Sequence, residues 1–312
     1  MIKLGITLGD PAGVSLEILV KSFSELAKIK AWFILFGDEL LIREETRRRK
    51  KTLPPNLSII NLSSLKVSPG YPTYESHIAM TRYIKEAISA INRGEIRGLI
   101  TLPINKEGLK VAGLPYRGHT EWLAKELEAS TYAMAFYGKR LRLALITTHI
   151  PLRKVPYEIT KNKVVEVAKL VFDFLRRLSS KKRDYKIALC GLNPHAGESG
   201  LLGDEEEKIL KPAVFEAKEN GIPLYGPFPA DSLFYWTLQG RFDFLVALYH
   251  DQGLIPFKML HFRDGVNLTL GLPIVRTSPV HGTAYDIAGK GEADPTSFIE
   301  AVKLATRLAK KW

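Results

Sequence analysis

The sequence predicts an α/β fold with mainly parallel β-sheet, arranged as about two domains. Short apolar runs alternate with longer amphipathic segments, which is the pattern of strands joined by helices in a parallel sheet. At 312 residues the chain is too long for one small core and suits about two domains of ~150 residues each. The composition, 46% hydrophobic and 25% charged, is that of a globular protein, so we expect each domain to bury a core.

Several apolar runs have the length of buried strands. In chain order they lie at 2–8, 31–37, 58–62, 98–104, 130–138, 141–149, 186–192 and 242–250. Between them, apolar residues recur at a spacing of three to four, which predicts amphipathic helices. These helices lie at 14–28, 75–94, 119–129, 159–178, 203–221 and 297–312.

The order of these elements predicts where the chain changes domain. We expect a change near residues 125–140 and a return near 260–270, because the C-terminal helix needs a sheet to cover. The predicted domains are therefore 1–128 plus 265–312, and 129–264.

The sequence also excludes some classes of protein. Cys190 is the single cysteine, so no disulfide can form within the chain, which fits a reducing cytoplasm. The apolar run in the N-terminal stretch MIKLGITLGD is too short for a signal peptide. No run reaches the roughly 18–20 apolar residues of a membrane helix, so we expect no membrane association.

The net charge of +12 raises the question of a nucleic-acid partner. The basic clusters are RRRKK (47–51) and RRLSSKKR (176–183). Neither contains aromatic residues that could stack on bases. We favour a solvated basic surface over a nucleic-acid footprint, and we expect no nucleic-acid partner.

Three histidines follow apolar strands at equivalent places. His149, His195 and His250 each lie just after a predicted strand. Ligands in open α/β sheets bind beyond the carboxyl ends of strands, so these side chains can converge. Imidazole is a common metal ligand, and three of them leave coordination positions for water or substrate. Each histidine alone is more often a hydrogen-bonded loop residue than a metal ligand, and it is the three equivalent positions that favour a shared site.

Polar neighbours of two of these histidines could orient them. Asn193 and Glu198 flank His195, whereas Asp251 and Gln252 follow His250. Partners of this kind commonly fix the ring of a metal-bound imidazole.

A second group of polar residues could bind an anion. His119 and Thr120 precede a predicted helix, whose N-terminus offers free N–H groups. The alternative is a plain N-cap by Thr120. Lys258, Asn267 and Arg276 are spaced along a later loop region, and Arg276 could bind an anion through two bonds.

A dinucleotide or nucleotide fingerprint is absent from the first strand–helix junction. GDPAGVS (9–15) matches neither GxGxxG nor GxxxxGK[ST].

The motifs together resemble one known family. In order along about residues 4–300, they are GITLGDPAG, GHTE, TTHIPLR, CGLNPHAGE, GPFPADSLF, YHDQGLIPFK, VNLTLGLPIVRTS and HGTAYDIAGKGEAD. They closely resemble the PdxA family of 4-hydroxythreonine-4-phosphate dehydrogenases. The resemblance implies NAD-dependent oxidation of 4-phosphohydroxy-L-threonine to 2-amino-3-oxo-4-phosphooxybutanoate. That product decarboxylates to 3-amino-2-oxopropyl phosphate in pyridoxal 5'-phosphate biosynthesis.

The resemblance also implies roles for particular residues. One divalent metal per site (Zn, Mg, Mn or Co) would be held by His149, His195 and His250. The phosphorylated substrate would contact His119, Thr120, Lys258, Asn267 and Arg276. A homodimer is implied, with each active site shared between subunits. For proton transfer the candidates are Lys106, Asp231 and Asp251, and the general base stays open.

The family's fold is similar to that of isocitrate and isopropylmalate dehydrogenases. This likeness implies two α/β/α domains, with the active site in the interdomain cleft. It assigns cofactor binding to residues 1–128 plus 265–312, and metal ligands and dimer contacts to 129–264.

HGTAYDIAGKG (281–291) is similar to the adenosine loop of that group. His281 and Gly282 would hold the adenine, and Asp286 would hold the ribose. A carboxylate at that place repels a 2′-phosphate, so we expect NAD, with NADP as the alternative.

The sequence departs from the family pattern at a few positions. Leu102 stands where relatives commonly have glycine, and Val280 stands where they have an acid. These departures leave a second substrate open, because paralogues oxidise sugar-acid phosphates such as threonate or erythronate 4-phosphate.

Overall fold

A computed structural model of the chain describes residues 1–179 and 183–311. Within these ranges the strands are β1 (Lys3–Thr7), β2 (Trp32–Gly37), β3 (Leu57–Asn61), β4 (Gly98–Thr101), β5 (Ala133–Tyr137), β6 (Arg142–Leu145), β7 (Ile187–Cys190), β8 (Leu224–Phe228), β9 (Phe244–Ala247), β10 (Val266–Leu270) and β11 (Val275–Pro279). The α-helices are α1 (Ser15–Lys21), α2 (Phe23–Lys28), α3 (Glu39–Arg48), α4 (Tyr74–Asn92), α5 (Lys106–Val111), α6 (His119–Glu126), α7 (Val155–Glu158), α8 (Lys161–Leu178), α9 (Lys211–Glu219), α10 (Ala230–Leu238), α11 (His250–His261) and α12 (Thr296–Ala309).

The chain divides into two compact units. Unit 1 contains Met1–Ser130, Arg263–Asn267 and the chain from Leu272 onward. Unit 2 contains Thr131–Phe262 and Leu268–Gly271. The assignment of cofactor binding to one part of the chain and metal binding to the other stays a prediction.

Unit 1 is built on parallel strands in the order β3-β2-β1-β4-β11. Apart from the half-buried edge strand β3, its strands are buried almost throughout, as parallel strands covered by helices must be. Helix α4 packs against β1 and β2, whereas α12 packs against β11 and β4. Phe33, Phe36, Tyr83 and Phe298 are fully buried in this core.

Unit 2 has the strand order β5-β6-β9-β7-β8. Strands β5 and β6 form an antiparallel hairpin, and the remaining pairs are parallel. Helix α8 packs against β6, β7 and β9. Its Phe174 ring meets the Phe244 ring of β9 edge-on at 5.9 Å between centroids. The expected α/β class with mainly parallel sheet is confirmed.

Several elements differ in extent from their predictions. The helix expected at 14–28 is interrupted at Ser22, whose Oγ donates to the Ile18 carbonyl. The helix expected at 203–221 opens with a π-helical turn, Glu206–Leu210, before α9. The strand expected at 242–250 stops at Ala247, so that His250 begins α11.

Other elements had no sequence signal strong enough to be predicted. They include α3, β8, β10 and β11. The last residue of the helix expected at 297–312, and positions 180–182 of the second basic cluster, lie outside the described residues.

None of the described helices combines the length and the apolarity needed to cross a bilayer.

Candidate active site

A buried arginine marks one polar corner of unit 1. Arg276 lies on β11 and is only 3% exposed. Its Nε and Nη2 atoms donate to Thr101 Oγ1 at 3.2 and 2.7 Å. Thr101 ends the neighbouring strand β4. The parallel register therefore brings the two polar side chains together inside an apolar sheet.

His119 lies beside this arginine. It is the first residue of α6 and is 9% exposed, and its Nε2 atom is buried without a hydrogen-bond partner. The N-cap is Gly118, which has no side chain to satisfy the helix N–H groups. The alternative of a plain N-cap by Thr120 is therefore wrong, because Thr120 lies inside the helix.

The electrostatics of this corner favour an anion. Burial lowers the pKa of His119 well below its usual value, and the positive charge of Arg276 lowers it further. Burial also lowers the pKa of Arg276 to about 10, against the opposing effect of Glu121. Near neutral pH the corner thus presents a charged guanidinium beside a neutral imidazole. A buried cation of this kind attracts a phosphate or carboxylate, which it can bind through two bonds.

Two further candidates lie in unit 1. Asn267 is on β10, and its Oδ1 atom is buried without a hydrogen-bond partner. Lys106 is the exposed first residue of α5, and the Asn105 side chain caps that helix by accepting from Glu107 N and Gly108 N. Asn267 thus offers an unused acceptor, whereas Lys106 is a solvated cation.

The candidate cofactor residues follow β11 in unit 1. His281 Nδ1 contacts the Gly282 carbonyl oxygen at 3.0 Å, and its buried Nε2 has no partner. Burial is the main cause that lowers the pKa of His281. Gly282 and Asp286 are exposed, and a Cβ on Gly282 would meet no atom within 4 Å. The loop therefore offers a buried ring nitrogen and accessible backbone.

In unit 2, two of the three candidate metal ligands lie in one pocket. The His149 and His250 rings are 5.8 Å apart between centroids. The pocket encloses about 340 Å³ and is lined by Thr148, His149, Ile150, Leu152, Val155, Tyr249, His250 and Asp251. Both histidines follow neighbouring parallel strands, β6 and β9, so the strand-end prediction explains why they meet.

Carboxylates orient two of the candidate ligands. His250 Nδ1 lies 2.6 Å from Asp251 Oδ1, and His195 Nδ1 lies 3.0 Å from Glu198 Oε2. A carboxylate only accepts, so Nδ1 is the donor in each contact, which leaves Nε2 as the nitrogen that could bind a metal. Metal-binding histidines commonly have this arrangement. The predicted contacts of Glu198 and Asp251 with these rings are confirmed.

The turn that carries His195 is strained. His195, Ala196, Gly197, Glu198 and Ser199 all have positive φ, between 44° and 77°. Four of these residues are not glycine, and the left-handed region costs roughly 1–2 kcal/mol for each such residue.

Buried hydrogen bonds hold this turn in place. The fully buried carboxylate of Glu206 accepts from Leu192 N, Asn193 N and Asn193 Nδ2, at 2.7–2.9 Å. The hydrogen bonds of Asn193 and Gln252 go to other groups: Asn193 donates to Glu205 and Glu206, and Gln252 bridges Leu248 N and the Gly191 carbonyl.

The described part of the chain fits a metal only in part. Across residues 1–179 and 183–311, no three His, Cys, Asp or Glu side chains come together as a ligand set. The His149–His250 pair has the donor chemistry and the orienting carboxylate of a divalent-cation site.

The remaining candidates in unit 2 are exposed. Lys258 lies on α11, and Asp231 lies in the first turn of α10, where its Oδ1 accepts from Ser232 N. The sequence did not single out Thr101 or Glu206. Thr101 ends an apolar strand, and that position could have indicated it. Glu206 lies in the acidic run DEEE (204–207) at the start of a helical turn, where no local signal sets it apart.

The fold defines the class of protein first. The chain is similar to the crystal structure of isocitrate dehydrogenase from Methylococcus capsulatus, with a TM-score of 0.53 and 17% identity, over 99% of this chain and 88% of that one. At that identity the likeness shows the fold alone, and it confirms the predicted isocitrate dehydrogenase-like class.

The chain belongs to the PdxA family: the model described as pyridoxal phosphate biosynthetic protein PdxA matches residues 18–305. A 4-hydroxythreonine-4-phosphate dehydrogenase from Sulfurihydrogenibium sp. is 43% identical, over 99% of this chain and 98% of that protein. The crystal structure of the enzyme of that name from Klebsiella pneumoniae has a TM-score of 0.87 and 36% identity, over 99% and 98% of the two chains. A D-threonate 4-phosphate dehydrogenase from Salmonella typhimurium is 39% identical over 98% of both.

Proposed function

We propose that this chain is an oxidoreductase that oxidises 4-phosphohydroxy-L-threonine to 2-amino-3-oxo-4-phosphooxybutanoate, with NAD as hydride acceptor. The product then loses CO2 to give 3-amino-2-oxopropyl phosphate, a step toward pyridoxal 5'-phosphate. The observation that carries this proposal is the buried Arg276 beside His119, whose Nε2 lacks a partner. Relatives named 4-hydroxythreonine-4-phosphate dehydrogenase along the full length support the substrate.

In this proposal the polar residues of unit 1 bind the anionic groups of the substrate. Arg276 supplies a buried guanidinium whose orientation is fixed by its bonds to Thr101. His119 supplies the unused Nε2, Thr120 the first turn of α6, and Asn267 an unused amide oxygen. The family resemblance assigns a further substrate contact to Lys258, an exposed residue of α11. Binding energy from these contacts would orient the reacting carbon.

We also propose a divalent cation, held by His149 and His250 with His195 as third ligand. When bound, the cation would supply a Lewis acid that lowers the pKa of the substrate hydroxyl. Asp251 and Glu198 would hold the rings of His250 and His195. Zn, Mg, Mn and Co remain the candidates.

When bound, the nicotinamide would accept the hydride from the hydroxyl-bearing carbon, and a base of this chain would take the hydroxyl proton. Asp231, Asp251 and Lys106 are the candidates for that base. His281, Gly282 and Asp286 would hold the adenosine end of the cofactor. The exposed carboxylate of Asp286 supports NAD over NADP, because it would repel a 2′-phosphate.

The deciding experiment incubates the purified protein with 4-phosphohydroxy-L-threonine, NAD and a divalent cation, and follows NADH. We expect turnover in the wild type and a loss of about 100-fold in kcat/KM for Arg276→Met, because a buried charge-assisted contact is removed. Arg93→Met is the matched control, because Arg93 is 49% exposed and pairs with Glu86 and Glu95 far from the proposed site residues in sequence. Absence of NADH formation by the wild type would refute the proposed reaction.

D-Threonate 4-phosphate is the second candidate substrate, because a relative named D-threonate 4-phosphate dehydrogenase is 39% identical to this chain. Side-by-side kcat/KM values on the two phosphorylated substrates decide between them. We expect the amino-acid phosphate to be preferred, and a reversed preference would assign the sugar-acid reaction.

The metal proposal can be tested by metal content, independently of enzyme activity. After dialysis with each divalent cation, we expect one metal ion per chain by elemental analysis, and a loss of it in His250→Ala. Equal metal content in wild type and His250→Ala would exclude this site, whatever the activity.

We further propose a homodimer whose active sites are shared, in the cytoplasm. An exposed apolar stripe on unit 2 supports the dimer. It consists of Ile255 and Met259 on α11 and the adjoining Phe262, which are 59%, 83% and 68% exposed. Contiguous exposed apolar surface of this kind commonly marks a protein interface.

A further inference from the structure

The loop that follows β11, residues 281–294, is built from turns rather than from strand or helix. We call it the cofactor loop. Ala284, Gly289 and Gly291 all have positive φ within it. A loop of this kind has no hydrogen-bond ladder of its own, so neighbouring elements must fix the positions of its backbone groups.

Helix α1 binds the C-terminal end of the cofactor loop, through both the N–H and the carbonyl groups of the loop backbone. Glu17, only 2% exposed, accepts from Gly291 N at 3.1 Å and from Ala293 N at 3.0 Å, one bond to each carboxylate oxygen. Lys21 Nζ donates to the carbonyls of the same two residues, both at 2.7 Å. Two loop residues are thus fixed by four side-chain bonds.

Two cations compensate the buried charge of Glu17. Lys21 lies 2.7 Å and Arg49 lies 3.1 Å from its carboxylate. Arg49 also pairs with Glu45, and Arg48 Nη1 donates to the Gly289 carbonyl at 3.2 Å. Arg48 of the basic cluster therefore binds the cofactor loop directly, and Arg49 binds the Glu17 carboxylate that holds it. The cluster is thus not only a solvated surface.

The N-terminal part of the cofactor loop is held by the segment that precedes α1. Tyr285 donates its hydroxyl to Asp10 Oδ2 at 2.6 Å, and Asp10 is fully buried. Val14 N donates to the Thr283 carbonyl at 2.9 Å. Residues 10–21 therefore hold the cofactor loop at both ends.

We propose that Glu17 is a positioning residue for the dinucleotide, acting through the cofactor loop without touching the cofactor. The inference rests on the proposed function, in which this loop binds the adenosine end. A rigid ligand held by backbone groups needs those groups in place before it binds, and a displacement of about 1 Å can cost on the order of 100-fold. Four side-chain bonds to Gly291 and Ala293 keep the loop in place.

The competing explanation is that Glu17 only stabilises the fold. A stabilising residue would change the melting temperature and leave dinucleotide affinity alone in the protein that remains folded. Replacing a positioning residue would change the affinity for the dinucleotide. It would leave the affinity for phosphate at Arg276 and His119 unchanged.

The test measures the Kd of NADH by fluorescence and the Kd of inorganic phosphate by calorimetry, on the full chain. For Glu17→Gln, which keeps the shape but replaces one acceptor oxygen by a donor, we expect the Kd of NADH to rise about tenfold or more. We expect the Kd of phosphate to stay within about twofold, and kcat at saturating NAD to stay close to wild type because no reacting group is removed. The expected signature is thus a raised KM for NAD.

Glu25→Gln is the matched control, since Glu25 is a half-exposed acid on α2 that pairs with Lys28. We expect wild-type NADH affinity for it. Lys21→Met is the second variant in case Glu17→Gln does not fold, and we expect the same direction of change. An unchanged Kd of NADH in folded Glu17→Gln or Lys21→Met would overturn the inference. Failure of the wild type itself to bind NADH would refute the proposed function instead.

Discussion

At the scale of single residues, His119 makes the free energy of unfolding depend on pH. Its pKa in the folded protein is lowered by burial and by Arg276. The unfolded imidazole takes up a proton near pH 6.5, whereas the folded one stays neutral. The unfolded state therefore binds more protons as pH falls, and the free energy of unfolding decreases below about pH 6.5.

We predict that His119→Asn removes part of this acid destabilisation. The wild type loses up to about 1.4 kcal/mol per pH unit through this group below about pH 6.5, and the variant does not. Urea unfolding at about pH 7.5 and about pH 5.5 measures the difference. An identical pH dependence in both proteins would mean that His119 is not buried in its neutral form.

At the scale of elements, the sequence predicted well where one signal dominates. Buried strands such as β1 and β9 are continuous apolar runs, and α8 shows a clear apolar face. Helix α3 was missed because charged side chains fill most of it. Strand β8 was missed because Gly226 and Pro227 interrupt its apolar pattern.

The candidate site was predictable to a similar degree. Strand ends explain the meeting of His149 and His250, because β6 and β9 are parallel neighbours. The course of the chain at His195 was not predictable. Its left-handed turn follows Leu192 and Asn193, whose backbone N–H groups donate to the carboxylate of Glu206, and no local pattern encodes these bonds.

One element contact gives a sharp stability prediction. A Cβ on Gly138, just after β5, would lie 2.3–2.5 Å from the ring of His261 at the end of α11. That ring is buried and packs against Phe257, so it cannot move aside easily. We expect Gly138→Ala to lower the free energy of unfolding by about 1–3 kcal/mol through overpacking.

Urea unfolding of Gly138→Ala measures this change. Gly282→Ala is its control, because a Cβ there meets no atom within 4 Å. Equal stability of Gly138→Ala and wild type would show that α11 can shift away from β5. Because α11 also carries His250 and Lys258, such a shift would move two candidate site residues.

At the scale of the whole molecule, the proposed dimer gives a prediction about assembly. We expect Met259→Glu to shift the protein from dimer to monomer, because a charge would be buried in an apolar interface. Sedimentation velocity measures the state. Phe215→Glu is the control, since Phe215 is an exposed aromatic residue on α9, at 66% exposure. A dimeric Met259→Glu would place the interface elsewhere, and a monomeric wild type would refute the dimer.

The order in which the chain leaves the ribosome has a consequence of its own. Strand β4 pairs with β11, and α12 packs against both, yet residues 131–262 of unit 2 are synthesised between them. Unit 2 can therefore complete most of its core while β4 still has an open edge. Such an edge can pair with other nascent chains. We expect unit 1 to be the part that needs a chaperone during synthesis, although most of its sequence emerges first.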